Sequence, residues 1–112
     1  MTVLNPLPPA KRETNRYLVF EVISKGKSSK TEISKAIWAS ALQFLGERGA
    51  GKLSLRLIDW DEKKQKGILK VNSKGLQEAR ASLALIKEIE KSKAIFHVLT
   101  VSGILKKAKK EF

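Results

Sequence analysis

The feature of this sequence that most constrains its fold is a series of six segments ordered strand, helix, strand, strand, helix, strand. Apolar residues alternate in the strands and recur every three or four residues in the helices. In the first strand, alternation places Leu18, Phe20 and Val22 on one face and Tyr17, Val19, Glu21 and Ile23 on the other. The predicted segments are strands 16–24, 52–60, 68–72 and 94–101, with helices after Ser29 and after Ser73. In a chain of 112 residues, this order predicts an α+β fold: a split βαβ (ferredoxin-like) two-layer sandwich, the scaffold of many RNA-binding modules.

Local signals place the ends of the two helices. Ser29 with Glu32 three residues later matches a capping box. Ser73 is a suitable cap for the second helix, whose predicted apolar stripe is Leu76, Ala79, Leu83, Ile86 and Ile89. Three glycines between residues 46 and 51 predict the end of the first helix. They resemble a phosphate-binding loop, but such a loop needs N–H groups at the start of a helix, whereas these follow one.

The chain divides into one domain with two short extensions. Residues 1–15 hold all three prolines and are predicted to form an extended or disordered arm. Residues 16–103 are predicted to form a single RNA-binding domain, and residues 104–112 a basic amphipathic tail helix. The absence of cysteine excludes disulfides and thiolate metal sites. No stretch resembles a membrane span or a signal peptide, so we expect a cytoplasmic protein.

The charge balance predicts a polyanionic partner. The chain has 23 Lys+Arg against 11 Asp+Glu, a net charge of +12. Nucleic acid is favoured over an anionic membrane surface, because only the short tail suits a membrane-surface helix. In the predicted topology three lysine-bearing loops emerge at one end of the sheet, while Arg16 and the tail lysines gather at the other. The residues predicted to bind RNA are Lys11, Arg12, Arg16, Lys25, Lys27, Lys30, Lys63, Lys64, Lys66, Lys70, Lys91, Lys93, Lys106, Lys107, Lys109 and Lys110.

The sheet face away from the two helices is predicted to be apolar. Residues 66–71 follow the K-G-x-x-x-V frame of an RNA-recognition-motif strand but lack its stacking aromatics, which disfavours base-by-base reading. An apolar patch needs a cover, which is either the chain's own tail or a partner protein. The residues predicted to form a protein interface there are Tyr17, Val19, Ile23, Ile58, Trp60 and Ile68.

Candidates for catalysis are weak. Asp59, Asp61 and Glu62 are the one carboxylate cluster, interpreted as a hairpin corner paired with nearby lysines in preference to a cation site. His97 has no triad candidates nearby and is interpreted as packed or RNA-adjacent. We therefore predict no catalytic residue and no metal ligand, which disfavours a nuclease that acts without RNA.

Four segments are characteristic when taken together: Arg16 to Ile23 (RYLVFEVI), Ala36 to Leu42 (AIWASAL), Leu45 to Glu47 (LGE) and Val101 to Gly103 (VSG). In this order and spacing they resemble archaeal ribonuclease P protein component 2, a Pop-five-type family. The resemblance runs from about residue 16 to residue 110. Alternatives on the same scaffold are a ribosomal or other structured-RNA-binding protein and a non-RNA oligomerising domain.

The resemblance implies a role in precursor-tRNA processing. Members of this family are subunits of the ribonucleoprotein that removes the 5′ leader from precursor tRNA, and its RNA carries the chemistry with bound Mg²⁺. The implied partners are ribonuclease P RNA and protein component 3, as a heterodimer or heterotetramer, with precursor tRNA an indirect partner. The resemblance implies no cofactor on the protein itself and transfers no catalytic residue.

Overall fold

A computed structural model of the chain describes residues 14–110 and residue 112. Its elements are β1 (Asn15–Ser24), α1 (Lys30–Leu53), β2 (Arg56–Asp61), β3 (Lys66–Asn72), a 3-10 turn (Ser73–Gly75), α2 (Leu76–Ala84), β4 (Glu88–Ile89), β5 (Ser92–Ser102) and α3 (Leu105–Lys110). The strands form an antiparallel sheet in the order β2-β3-β1-β5-β4. The predicted α+β sandwich with a short C-terminal helix is confirmed, and β4 is an addition to it. Residues 1–13, which hold Lys11 and Arg12, lie outside the described residues.

Alternation along β1 sets the two faces of the sheet. Leu18, Phe20 and Val22 pack into the core formed with α1 and α2. Val19 and Tyr17 point to the opposite face, where they meet α3. The two faces predicted for this strand are therefore confirmed, although β1 begins one residue earlier than predicted.

No helix in the described part of the chain is long and apolar enough to cross a membrane.

Helix α1 begins as predicted but ends later. The Ser29 hydroxyl accepts the Glu32 N–H, and the Glu32 carboxylate accepts the Ser29 N–H at 3.0 Å, which completes the capping box. Gly46, with φ 75°, interrupts the helix without ending it. A second helical segment continues to Leu53, because it buries Ala50 and Leu53. The predicted start of the next strand at residue 52 is therefore wrong.

The second half of the domain also differs at its boundaries. The side chain of Asn72, not that of Ser73, accepts the Gly75 N–H at 2.8 Å and starts the turn into α2. The helix ends before Ile86, and Ile86 and Ile89 reach the core from beyond it. β4 and β5 form a tight hairpin whose two connecting residues both have left-handed φ.

Trp60 lies on the helix side of the sheet, so its predicted place on the open face is wrong. The register of β2 against β3 shifts between Leu57 and Asp59, which inverts the alternation after the extra residue. Trp60 is paired with Gly67 and stacks on Phe20, with ring centroids 6.0 Å apart. Its indole Nε1–H donates to the Ser28 carbonyl at 3.0 Å, which fixes the ring in the core.

Candidate nucleic-acid interface

Three lysine-bearing segments lie together at one end of the sheet, and we name this set the lysine pole. It comprises Lys25, Lys27, Lys30, Lys63, Lys64, Lys66, Lys91 and Lys93. Gln65 joins the first two segments: it accepts the Ser28 N–H at 3.0 Å and donates to the Ser28 carbonyl at 3.2 Å. The third adjoins them because Ser24, at the end of β1, is paired with Ala94 near the start of β5. The structure therefore brings these segments together at one end, as the topology predicts.

Among the described residues, the acidic residues of the hairpin form no ion pair with the lysine pole. The Asp61 carboxylate accepts the backbone N–H groups of Lys63 and Lys64 at 3.0 and 3.1 Å, and Asp59 accepts that of Trp60. The predicted ion pairs between these acids and the lysines are absent from the described residues, and Asp59 and Asp61 accept backbone N–H groups instead. Apart from half-buried Lys66, the pole lysines are exposed.

Within the described range no three His, Asp or Glu side chains converge as metal ligands would.

The predicted basic pole at the opposite end is only partly present. Arg16 lies there, half-buried, with Nη1 donating to the Asn15 carbonyl at 3.1 Å. The tail, however, folds back across the open face, and its last residue reaches the lysine pole, where Lys64 Nζ lies 3.5 Å from the Phe112 carbonyl oxygen. Lys106, Lys107, Lys109 and Lys110 are all exposed on this tail helix. The tail begins beside Arg16, because a Cβ added at Gly103 would lie 3.4 Å from Arg16 Nη1. Its lysines are therefore spread along the open face, from the Arg16 end toward the lysine pole.

The tail helix covers most of the predicted apolar patch. Ala108 packs on Val19 and Ile68, and all three side chains are fully buried. The remaining contacts come from Tyr17 and Ile58 of the sheet and from Leu105 and Phe112 of the tail. Of the two covers considered from the sequence, the structure shows the chain's own tail. Tyr17, Val19, Ile58 and Ile68, which were predicted to form a protein interface, therefore make internal contacts.

One predicted interface residue stays uncovered. Ile23 is 55% exposed and is paired across the strands with Ile95, which is 62% exposed. Sequence reasoning missed Ile95, because its pairing with Ile23 depends on the register of two strands that are distant in the chain. The next pair along this face, Glu21 and His97, forms an ion pair with Nδ1 to Oε1 of 3.3 Å when the imidazole is protonated. His97 is exposed, so it is not a packed residue.

Lys70 adds a further positive charge near the outer strand. It is half-buried and is paired with Tyr17 on β1 and with Arg56 on β2. Arg56 was not among the predicted RNA-binding residues, although it is exposed at the edge of the sheet. The positive charge therefore extends beyond the loops named from the sequence.

Comparison with known proteins agrees with this architecture. Residues 16–112 match the model of the Rpp14/Pop5 family. The chain belongs to that family. The ribonuclease P protein component 2 of Thermococcus gammatolerans is 44% identical over 106 residues, covering 95% of this chain and 88% of that protein. The protein of the same name from Pyrococcus horikoshii is 37% identical over 112 residues, covering 100% of this chain and 93% of its own length.

More distant members extend the same similarity. The ribonuclease P protein component 2 of Methanosarcina mazei is 35% identical, covering 95% of this chain and 90% of that protein. A chain in the cryo-EM structure of yeast ribonuclease MRP superposes with a TM-score of 0.71 at 13% identity, covering 90% of this chain and 92% of that one, and supports the fold alone. The family indicated by the short sequence segments is therefore confirmed.

Proposed function

We propose that this chain is a protein subunit of ribonuclease P that supports a catalytic RNA in removing the 5′ leader from precursor tRNA. The observation that carries the proposal is the similarity, over nearly the whole chain, to proteins named ribonuclease P protein component 2. In this role the RNA subunit holds Mg²⁺ and performs the cleavage, while the protein binds RNA phosphates. We expect it to act in the cytoplasm.

The lysine pole supplies the electrostatic part of this role. Its exposed ammonium groups have no ion pair with a side-chain carboxylate among the described residues, and only the 3.5 Å contact of Lys64 with the Phe112 carbonyl oxygen would have to give way to an RNA phosphate. Each phosphate that a lysine neutralises releases condensed counterions, which favours binding at low salt. Lower repulsion between neighbouring RNA strands reduces the Mg²⁺ concentration that folding of the RNA requires. The tail lysines extend this surface beside the sheet.

The uncovered pair Ile23 and Ile95 is the best place for protein component 3 to dock. An apolar centre beside the lysine pole suits a partner with apolar side chains and an acidic edge. Replacing Ile95 with glutamate is expected to weaken the complex with component 3 at least tenfold, measured by calorimetry. The matched control is Leu85→Glu at the end of α2, which is 51% exposed and should leave affinity unchanged. An equal loss of affinity for component 3 in both variants, or no loss in either, would exclude this site.

The contribution of the lysine pole to RNA binding is measured through its salt dependence. Replacing Lys63, Lys64 and Lys66 with alanine should reduce the slope of log K against log salt by about 2 to 3, since each lost phosphate contact removes about 0.7 to 0.9. A control that removes equal charge from residues outside the lysine pole is Arg48→Ala, Lys52→Ala and Lys74→Ala together, and it should leave the slope unchanged. An unchanged slope in the first triple variant removes that loop from the interface.

The direct test of the proposed function is precursor-tRNA cleavage. An archaeal ribonuclease P RNA is assayed at limiting Mg²⁺ with this protein, with component 3, and with both. Rescue of cleavage only by the pair is the expected result. Absence of rescue with RNA binding intact would leave a structured-RNA-binding protein and would refute the ribonuclease P role.

A further inference from the structure

Trp38 stands at the rim of a groove between α1 and the edge strand β2. Its side chain is 43% exposed, which is high for a residue type that usually buries most of its surface. The groove has a volume of about 430 Å³ and a floor of aliphatic side chains that includes Ile37, Leu55 and Leu57. A flat apolar ring therefore faces an open space of sufficient size for a small planar group.

The polar group of Trp38, its indole N–H, also has no hydrogen-bond acceptor among the described residues. The other tryptophan of the chain differs, since Trp60 donates to the Ser28 carbonyl at 3.0 Å and stacks on Phe20. Trp60 is thus held by the core, whereas the Trp38 N–H is available to an incoming acceptor.

Positively charged side chains lie beside Trp38. Lys30 and Arg56 line the groove, and Lys30 and Lys35 line a second depression to which Trp38 also contributes. Neither lining includes an aspartate or a glutamate, and Ser34 adds a hydroxyl to both. A cationic rim of this kind around an aromatic ring favours a ligand that is both planar and anionic.

We infer that this groove binds an unpaired nucleotide of RNA, with its base stacked on Trp38 and its phosphates near Lys30 and Arg56. The inference rests on the proposed function, because it assumes that the chain meets RNA. A base in a duplex is not free to stack on a side chain, so the site selects single-stranded loops or bulges. An acidic peptide is a weaker fit, since a carboxylate offers no face for the ring. The lysine pole then holds the RNA backbone, and the groove holds one extruded base.

The test compares binding to a short single-stranded oligouridylate with binding to an RNA duplex of the same length. Trp38→Ala is expected to weaken binding to the single strand about 5- to 150-fold, the range for loss of one base–aromatic stack, and to leave duplex binding unchanged. The slope of log K against log salt should stay constant, because no cation is removed. Trp38→Phe should restore most of the affinity, since it keeps an aromatic face.

Phe44→Ala is the matched control. Phe44 lies on the same helix, is 47% exposed and does not line the groove, so its removal should change neither affinity. Wild-type affinity of the Trp38→Ala variant for the single strand overturns the inference and leaves the proposed function intact. Loss of component 3 binding with RNA binding unchanged also overturns it, in favour of a protein ligand. Wild-type protein that binds neither RNA refutes the inference, whereas the proposed function is tested separately by the cleavage assay with component 3.

Discussion

Replacing Gly67 with alanine tests how tightly the aromatic side chains of the core are packed. Gly67 lies on β3 between two rings: an added Cβ would lie 2.8 Å from Phe20 Cζ and 2.8 Å from Trp60 Cε3. Neither ring is free to move away. Phe20 is stacked on Phe96 at 5.7 Å as well as on Trp60, and Trp60 is hydrogen-bonded to the Ser28 carbonyl.

Two opposing effects set the size of the change. Overpacking of a buried site costs about 1 to 3 kcal/mol, and contact with two rigid rings places this substitution in the upper half of that range. Alanine also restricts the unfolded chain, which returns about 0.5 to 1 kcal/mol relative to glycine. We therefore expect the free energy of unfolding to fall by about 1 to 2.5 kcal/mol, which lowers Tm by about 4 to 20 °C in a small domain.

Thermal and urea unfolding of matched variants check this reasoning. Gly51→Ala is the control, because that helical position has nothing within 4 Å of the added methyl and should become more stable by about 0.5 to 1 kcal/mol. In a Trp60→Leu background the cost of Gly67→Ala should shrink, since one of the two rings is gone. A Gly67→Ala variant as stable as the wild type, or one whose cost is the same in both backgrounds, would refute the packing argument.

Three further predictions concern the tail, the first helix and the joined loops. Ala108→Asp should release α3 and speed its proteolysis, because a carboxylate is not tolerated on the buried patch, whereas exposed Lys107→Asp should leave the tail docked. Ser29→Ala should lower the free energy of unfolding in urea by about 1 kcal/mol through loss of the capping box, and exposed Ser34→Ala in the same helix should not lower it. Gln65→Ala should lower the free energy of unfolding by about 1 to 3 kcal/mol, because the buried N–H and carbonyl of Ser28 lose their side-chain partner. Hydrogen exchange should become faster in the loop around Ser28 and in the β2–β3 hairpin, and wild-type exchange rates would contradict the role of Gln65 in joining these two segments.

Local patterns in the sequence correctly indicated the features that depend on near neighbours. Alternation placed Leu18 and Val19 on opposite faces of β1, and the Ser29 and Glu32 pair marked the start of α1. The excess of lysine and the order of elements indicated three basic segments at one end of the sheet. Each of these depends on residues a few positions apart or on the topology that the segment order implies.

Predictions were wrong where tertiary packing or strand pairing overrode a local sequence signal. Glycines at residues 46 to 51 indicated the end of α1, but the helix resumed because it places Leu53 in the core. Trp60 was assigned to the wrong face because alternation was extended across a β-bulge. A bulge is a property of the ladder between two strands, and the residues of one strand alone do not reveal it.

The sequence by itself determined the fold class, the family and the surplus of positive charge. These follow from segment order, characteristic segments and composition, none of which depends on exact geometry. Only the tertiary structure decided that the tail covers Val19 and Ile68, that Ile23 meets Ile95, and that Trp38 faces a groove beside Arg56. Each of these contacts is between residues far apart in the chain. Whether they form depends on strand register and on which apolar surfaces are buried against one another.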